Sequence, residues 1–378
     1  VSDDLKGKIR DRLLGILFSQ SFDIMDRGIG TEADLNFGCQ VALGFKKGPL
    51  DLMRDLGAKE VDRIMAKFQK ERPGFPQPSK PVADYQDFNR FILVDDREGV
   101  KIITIRRPQA MNALNNELTD EILGVLKQFA DDTAVKGFIL TGYGTAAFSA
   151  GADIGKFPSM LGDPDASAQY ARDCAKVQTF MDQMTKPVVA ALNGLAMGGG
   201  LEVAIRCHGM IAMHNSILQF PEISLGILPG IGGCVVPYRK WPQGAALFHD
   251  MICFGKPMNA REAAEIGMVA KLADNHQDLI QAAVEEVSNL RGKVTGIPAG
   301  KIDIPPIVIP DPPTAGKQPL SKEAVAIAAR TIQKGVATED LAEALEVGYK
   351  GFGEIACSEA AQEGIAAFLE RRKPEFKK

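Results

Sequence analysis

Beyond residue 90 the chain alternates short β-branched runs with longer helical patterns, and this alternation constrains the fold more than any other feature. "RFILVDD" and "VKIITIRR" are separated by "REG" and read as a hairpin. "ELTDEILGVLKQFADD" follows as an amphipathic helix, "KGFILTG" and "PVVAALNG" as short buried strands, and "GMIAMHNSILQF" as one or two more. Strands alternating with helices of ten or more residues predict an α/β core. From about residue 320 the pattern is helical again, through "KEAVAIAARTIQKG", "TEDLAEALEVGYKGFGEI" and "SEAAQEGIAAFLERR".

The first part of the chain has a different texture. Residues 3–28 carry Ile9, Leu13, Leu14, Ile16, Leu17, Phe22, Ile24 and Met25 at helical spacing. Thr31, with Asp34 three positions on, reads as the N-cap of a second helix. Further short helices follow "GFKKGP" and cover about residues 58–70, before the Pro-rich "RPGFPQPSKP". The expected organisation is an all-helical domain over 1–72, a Pro-rich linker over 73–88, an α/β core over 89–294, an extended connection over 295–319 with seven prolines, and a C-terminal helical part over 320–378. No tandem repeat is visible.

Charge and cysteine usage exclude several functions. The net charge of −4 gives no support to nucleic-acid binding. Six scattered cysteines without a CxxC spacing indicate neither a zinc site nor a redox pair, and they suit a reducing, cytoplasmic compartment. The four histidines lack metal-ligand spacing, so no metal is expected, and His208 reads as structural. No uninterrupted apolar run approaches the roughly 20 residues of a membrane span; no membrane association and no signal peptide are expected.

The stretch "AMGGGLEVAIR" carries the chemistry. Gly198, Gly199 and Gly200 precede an apolar helix starting near Leu201, whose first-turn N–H groups lack intrahelical partners. "FSAGADI" repeats the device after the strand "KGFILTG" and leads toward another helix. Two such turns can aim N–H groups at one point and form an oxyanion hole; the plain alternative is close packing. Glu202 lies in the first turn of the apolar helix, and Glu222 lies 20 residues on, in "LQFPEISLGILPGIGG". Both can reach one pocket, although each acid could equally cap a helix N-terminus.

Six segments, "IRRPQAMNALN", "FILTGYGTAAFSAGADI", "TKPVVAALNGLAMGGGLEVAIRC", "FPEISLGILPGIGG", "MNAREAAEIGMVAKL" and "EGIAAFLERRKPEF", resemble in order and spacing the enoyl-CoA hydratase/isomerase (crotonase) superfamily. The resemblance implies a ββα spiral core with C-terminal helices, a bent acyl-CoA thioester as substrate and no cofactor beyond that coenzyme A. By position it implies Ala152 and Gly199 as oxyanion-hole donors and Glu202 and Glu222 as the catalytic pair. Glu222 would be the main acid/base, and Glu202 would hold and polarise the water. Ala150, Gly151, Asp153, Ile154 and Gly198 would line the substrate, and Arg107 would contact a phosphate if it is not simply a solvated arginine. The basic tail Arg371, Arg372, Lys373, Lys377 and Lys378 is solvated in most proteins. In this family, however, the last helix lies near the CoA of its own or a neighbouring subunit, which favours Lys373. Ile365 and Phe368 face either helix packing, an acyl pocket or a subunit contact. Ala360 replaces an acid of the family pattern, and a homo-trimer or hexamer is implied.

The first seventy residues resemble the C-terminal helical domain of 3-hydroxyacyl-CoA dehydrogenases, through "RGIGTEADLN" and "GFKKGPLDLMRDLG". No GxGxxG opens a βαβ unit, so no NAD site is expected. The two resemblances imply the C-terminal part of a dehydrogenase–hydratase fusion, with the NAD-binding dehydrogenase domain as a missing partner. The expected function is hydration of trans-2-enoyl-CoA; a 3,2-enoyl-CoA isomerase and an idle CoA-ester-binding module are the alternatives.

Overall fold

Local signals in the sequence build the N-terminal helices. In the computed structural model, which describes residues 2–376, the Ser2 side chain caps α1 (Asp3–Asp26). Thr31 Oγ1 accepts the Asp34 N–H at 3.1 Å and starts α2 (Glu32–Leu43). Pro49, whose ring presets a helical φ, opens α3 (Pro49–Leu56), and α4 (Ala58–Glu71) follows. Phe18, Phe22, Leu50, Met53, Val61 and Ile64 form their common core.

The Pro-rich stretch expected as a tether belongs to this unit. Val82 and Tyr85 sit inside the same core. The Tyr85 hydroxyl donates to Asp26 at 2.6 Å, and Arg90 Nε donates to Asp51 at 3.1 Å. Two large apolar residues between the prolines outweigh the linker-like composition, because burying each gains about 1.5–3 kcal/mol. The chain accordingly divides into two units, Val1–Arg90 and Phe91–Lys378.

The larger unit opens with the predicted hairpin, β1 (Ile92–Arg97) and β2 (Val100–Ile105), paired antiparallel. The helix α5 (Asn116–Phe129), capped by Asn115, leads to β3 (Gly137–Gly142) and β4 (Ala147–Ser149). Two helices, α6 (Pro164–Cys174) and α7 (Lys176–Met181), precede β5 (Val188–Leu192) and β6 (Leu195–Met197). The buried helix α8 (Gly199–Arg206) precedes β7 (Gly209–Met213) and β8 (Ile217–Gln219). Then come α9 (Val236–Lys240), α10 (Ala245–Phe254), β9 (Met258–Asn259), α11 (Ala260–Glu265), β10 (Lys271–Ala273) and α12 (His276–Leu290).

One sheet runs β1-β2-β3-β5-β7-β10, parallel from β2 onward, and a second runs β4-β6-β8-β9. Each successive pair (β3/β4, β5/β6, β7/β8) gives its first strand to the large sheet and its second to the small one. The chain is therefore a spiral of repeated strand pairs that no sequence repeat announces. The strands β3 and β5 are buried at every residue, as continuous apolar runs in parallel sheets must be. Ile139, Val189 and Ala191 face α12, while Phe138, Leu140 and Ala190 face the main core.

The segment 295–313 carries no helix or strand and is followed by a small hairpin of β11 (Thr314–Ala315) and β12 (Gln318–Pro319). Three helices close the unit: α13 (Lys322–Ala337), α14 (Leu341–Ile355) and α15 (Glu359–Leu369). Arg239, 2 % exposed, anchors this region by donating to the carbonyls of Pro298, Gly300, Gly335, Thr338 and Glu339. Arg239→Met leaves the carbonyls of Pro298, Gly300 and Thr338 without this donor, each at a cost of about 1–3 kcal/mol before relaxation, while Glu339 O and Gly335 O keep the N–H groups of Gly300 and Thr338. A clear drop in the urea midpoint is the expected result.

On α15 the two apolar candidates separate: Ile365 is core, whereas Phe368 is 51 % exposed. Ser358 caps this helix next to Ala360, so the missing family acid leaves the N-terminus capped. No described helix is long and apolar enough to cross a membrane.

Candidate active site

The site forms where two strand ends meet the start of α8. After β4 the backbone turns through Gly151, at φ +98°, a conformation that side chains rarely adopt. The Leu114 N–H donates to Gly151 O at 2.8 Å, and the Asp153 N–H donates to Leu114 O at 2.8 Å. Alternation along an extended chain therefore turns the Ala152 N–H to the opposite side. Asn112 and Asn193 hold the preceding turn by both donating to Ala147 O, at 2.8 and 3.2 Å. Beyond Ala152 the expected helix is instead a 3-10 turn, Ile154–Ser159, interrupted by Pro158.

The second strand end, β6, enters α8 through Gly198 at φ +50° and ψ −130°. The helix begins at Gly199, two residues earlier than expected, and a first helical residue has no intrahelical acceptor for its N–H. Among the described residues, neither the Ala152 nor the Gly199 N–H donates to a protein acceptor. The two turns are close: a Cβ placed on Gly199 would lie 3.5 Å from the Ala152 nitrogen.

Both acids reach the same cavity. It is about 90 Å3 and is lined by Ala150, Gly151, Ala152, Ile154, Gly198, Gly199, Glu202 and Glu222 among others. Glu202, 2 % exposed, caps nothing on its own helix. Its Oε1 accepts the N–H groups of Ile231 at 2.8 Å and Gly233 at 2.7 Å, leaving Oε2 without a protein partner among the described residues. Burial pushes its carboxyl up to about 7, against the pull of those two N–H donors and Arg206. Glu222 begins a short 3-10 turn; its residue keeps some exposure, but Oε2 is sealed from solvent with no partner among the described residues. Burial, then the charge of Glu202, raises Glu222 well above the ordinary carboxylate range. The amide-supported Glu202 ionises first, so Glu222 holds its proton longer.

These shifts carry a stability consequence. Below the ordinary value of 4.5 both carboxyls are protonated in folded and unfolded chains alike, and no penalty exists. As pH rises, the unfolded chain releases its protons first, so stability falls from pH 4.5 through about 7 for Glu202 and further for Glu222. Glu222→Gln removes the larger part of this penalty. Its melting temperature is expected above that of the parent at pH 8, with the difference fading toward pH 4.5.

Other candidates lie differently. Asp153 lines an adjoining cavity of about 360 Å3, and its carboxylate pairs with Arg107 at 3.3 Å. Arg107 is not a solvated arginine: it also donates to Ala113 O and lies over the Phe91 ring. These contacts hold it against the loop before α5 and beside the adjoining cavity's Asp153. Lys373 lies past the end of α15, exposed, and lines neither of these two cavities. Lys377 and Lys378 lie outside the described residues. His208 is structural as read: its Nδ1 accepts the Val188 N–H at 2.9 Å, and burial lowers its pKa to about 4.

Sequence reasoning missed several site groups. The Ile231 and Gly233 N–H donors were signalled only by the glycines of "PGIGG". Tyr170, Cys174, Phe157 and Phe352 line the main cavity without any sequence signal. Ala152, Tyr170, Cys174, Gly199 and Ile231 line both cavities and form the neck between them.

Two sheets wound from successive strand pairs and closed by C-terminal helices define a crotonase-like α/β fold. Residues 95–296 match the Enoyl-CoA hydratase/isomerase family, and the chain belongs to that family. It is 32% identical over 280 residues to a probable enoyl-CoA hydratase of Bacillus subtilis, covering 74% of this chain and 95% of that protein. It is also 32% identical to the crotonyl-CoA hydratase of Syntrophomonas wolfei (75% and 97% covered) and to the short-chain-enoyl-CoA hydratase of Clostridium acetobutylicum (76% and 98%). An enoyl-CoA hydratase structure from Rhodobacter sphaeroides shares the fold, with a TM-score of 0.60 at 21% identity over 76% of this chain and 92% of that one.

Proposed function

We propose that the larger unit is an enoyl-CoA hydratase that adds water reversibly, in syn fashion, across the double bond of a trans-2-enoyl-CoA such as crotonyl-CoA, giving 3-hydroxyacyl-CoA. One observation carries this reading: two buried carboxyls, Glu202 and Glu222, share an apolar cavity with the unpartnered N–H groups of Ala152 and Gly199. The names of the relatives support it.

In this reading the thioester oxygen sits at the neck, where the two N–H groups stabilise the negative charge that develops on it. Water rests on Glu202 Oε2. As its oxygen bonds to C3, a water proton passes to Glu202, and the π electrons move onto the thioester as an enolate. Glu222 then gives its proton to C2 and restores the carbonyl. Transfer of one proton from Glu202 to Glu222 through the next water resets the pair. This refines the expectation from sequence, which gave Glu222 both steps: the acid whose charge two amides support suits the base, and the acid without such support suits the donor. The reaction consumes only water and the ester.

Incubation with crotonyl-CoA is expected to remove the enoyl-thioester absorbance and to yield a product heavier by one water. An isomer of unchanged mass would instead mark a 3,2-enoyl-CoA isomerase, which needs only one base. Tight binding without turnover would mark an idle binding module.

We also read the four-helix unit as a module of the dehydrogenase C-terminal type, since the segments carrying that resemblance form the α1–α2 junction and α3. A homo-trimer or hexamer is the proposed assembly; light scattering reads it.

A further inference from the structure

The apolar cavity is walled by three aromatic rings. Phe157 stands between Tyr170 and Phe352, its centroid 5.8 Å from the first at an interplanar angle of 84° and 6.1 Å from the second at 75°. All three rings line the cavity. Edge-to-face contacts of this kind favour a defined ring orientation. The rings come from the 3-10 turn Ile154–Ser159, from α6 and from α14. Arg172 clamps α6 to α14 with two bonds to the Glu346 carboxylate, at 3.0 and 2.6 Å. Phe352 is seated on Gly230, where an added Cβ would come within 2.7 Å of the ring. The wall is therefore braced from behind.

Volume sets what fits in front of it. An apolar cavity of ~150 Å3 accepts benzene, with six carbons. In proportion, this cavity of about 90 Å3 has room for about three or four carbons. The C2, C3 and C4 atoms of a crotonyl group fill that space together with the reacting water on Glu202. Two further methylenes have to enter the ring cluster. The larger cavity across the neck adds the polar side chains of Asn115, Asn116, Glu117 and Thr119 to its apolar lining and suits the carrier arm of the ester.

We infer that Phe157, Tyr170 and Phe352 form a chain-length stop that restricts the site to four-carbon enoyl thioesters, with Phe157 and Phe352 as the specificity-determining residues. The inference rests on the hydratase reading.

The test compares kcat/KM of the full chain for crotonyl-CoA, trans-2-hexenoyl-CoA and trans-2-octenoyl-CoA. One methylene in a tight apolar pocket is worth about 10–200-fold, so a fall of tenfold or more is expected at each extension. Phe352→Ala and, independently, Phe157→Ala are expected to raise the octenoyl-to-crotonyl ratio at least tenfold, with circular dichroism reporting folding. Phe352→Leu serves as the milder truncation if an alanine variant unfolds, and it is expected to move the ratio in the same direction. A parent enzyme that hydrates octenoyl-CoA as well as crotonyl-CoA overturns the stop, as do folded variants that keep the parent ratio. If no enoyl ester is hydrated, the hydratase reading itself fails. The stop is then read by calorimetry, with butyryl-CoA expected to bind at least tenfold tighter than octanoyl-CoA; equal or reversed affinities overturn it.

Discussion

Glu222→Gln is expected to lower kcat for crotonyl-CoA hydration by about 100- to 10,000-fold, the range for loss of one positioned acid–base group, with little change in KM. Glutamine keeps the length and planarity of the side chain, so the cavity wall is retained while the proton is lost. The group it replaces is held protonated by burial and by the neighbouring charge of Glu202, which is the state a donor to C2 requires. The same substitution is expected to stabilise the fold at pH 8, so activity and stability move in opposite directions at one residue. Full activity in Glu222→Gln would remove Glu222 from the chemistry.

Gly198→Ala is expected to cost at least about 100-fold in kcat, the lower end for loss of one oxyanion-hole donor. Gly198 has φ +50° and ψ −130°, and its added Cβ would stand 2.7 Å from Glu222 Oε1. Backbone that relaxes toward an ordinary conformation rotates the next peptide, whose N–H belongs to Gly199. Strain of about 1–3 kcal/mol is the companion effect on stability. The kinetic effect should fall on kcat more than on KM, because the N–H meets its full charge only in the transition state. A variant with parental kcat and a shifted melting temperature would assign this turn to packing alone.

The elements were largely legible because their signals are local. Thr31 and Pro49 mark helix starts by their own chemistry, and the short apolar run in "PVVAALNG", bounded by Pro187 and Gly194, reads as a strand buried on both faces. The Pro-rich stretch 73–88 misled because composition describes chain stiffness, whereas Val82 and Tyr85 are held by partners far away in sequence. The setting of Arg107 was illegible for a related reason: its guanidinium donates to Ala113 O and to Asp153, 46 residues away, and no local pattern marks that pairing.

Residue chemistry alone determined which groups of this protein can act: glycines at two strand ends, and two acids in apolar surroundings. In the proposed reaction, tertiary structure decides how they act. The pairing of Ile231 and Gly233 N–H groups with one oxygen of Glu202 supports the charge of that acid, whereas Glu222 has only burial and the charge of Glu202 acting on it, and both push it up. The meeting of α6, α14 and the turn after Ala152 decided the size of the cavity they serve. Both outcomes depend on burial and on distances between residues remote in sequence; proton affinity and volume are properties of that enclosure and belong to no single segment.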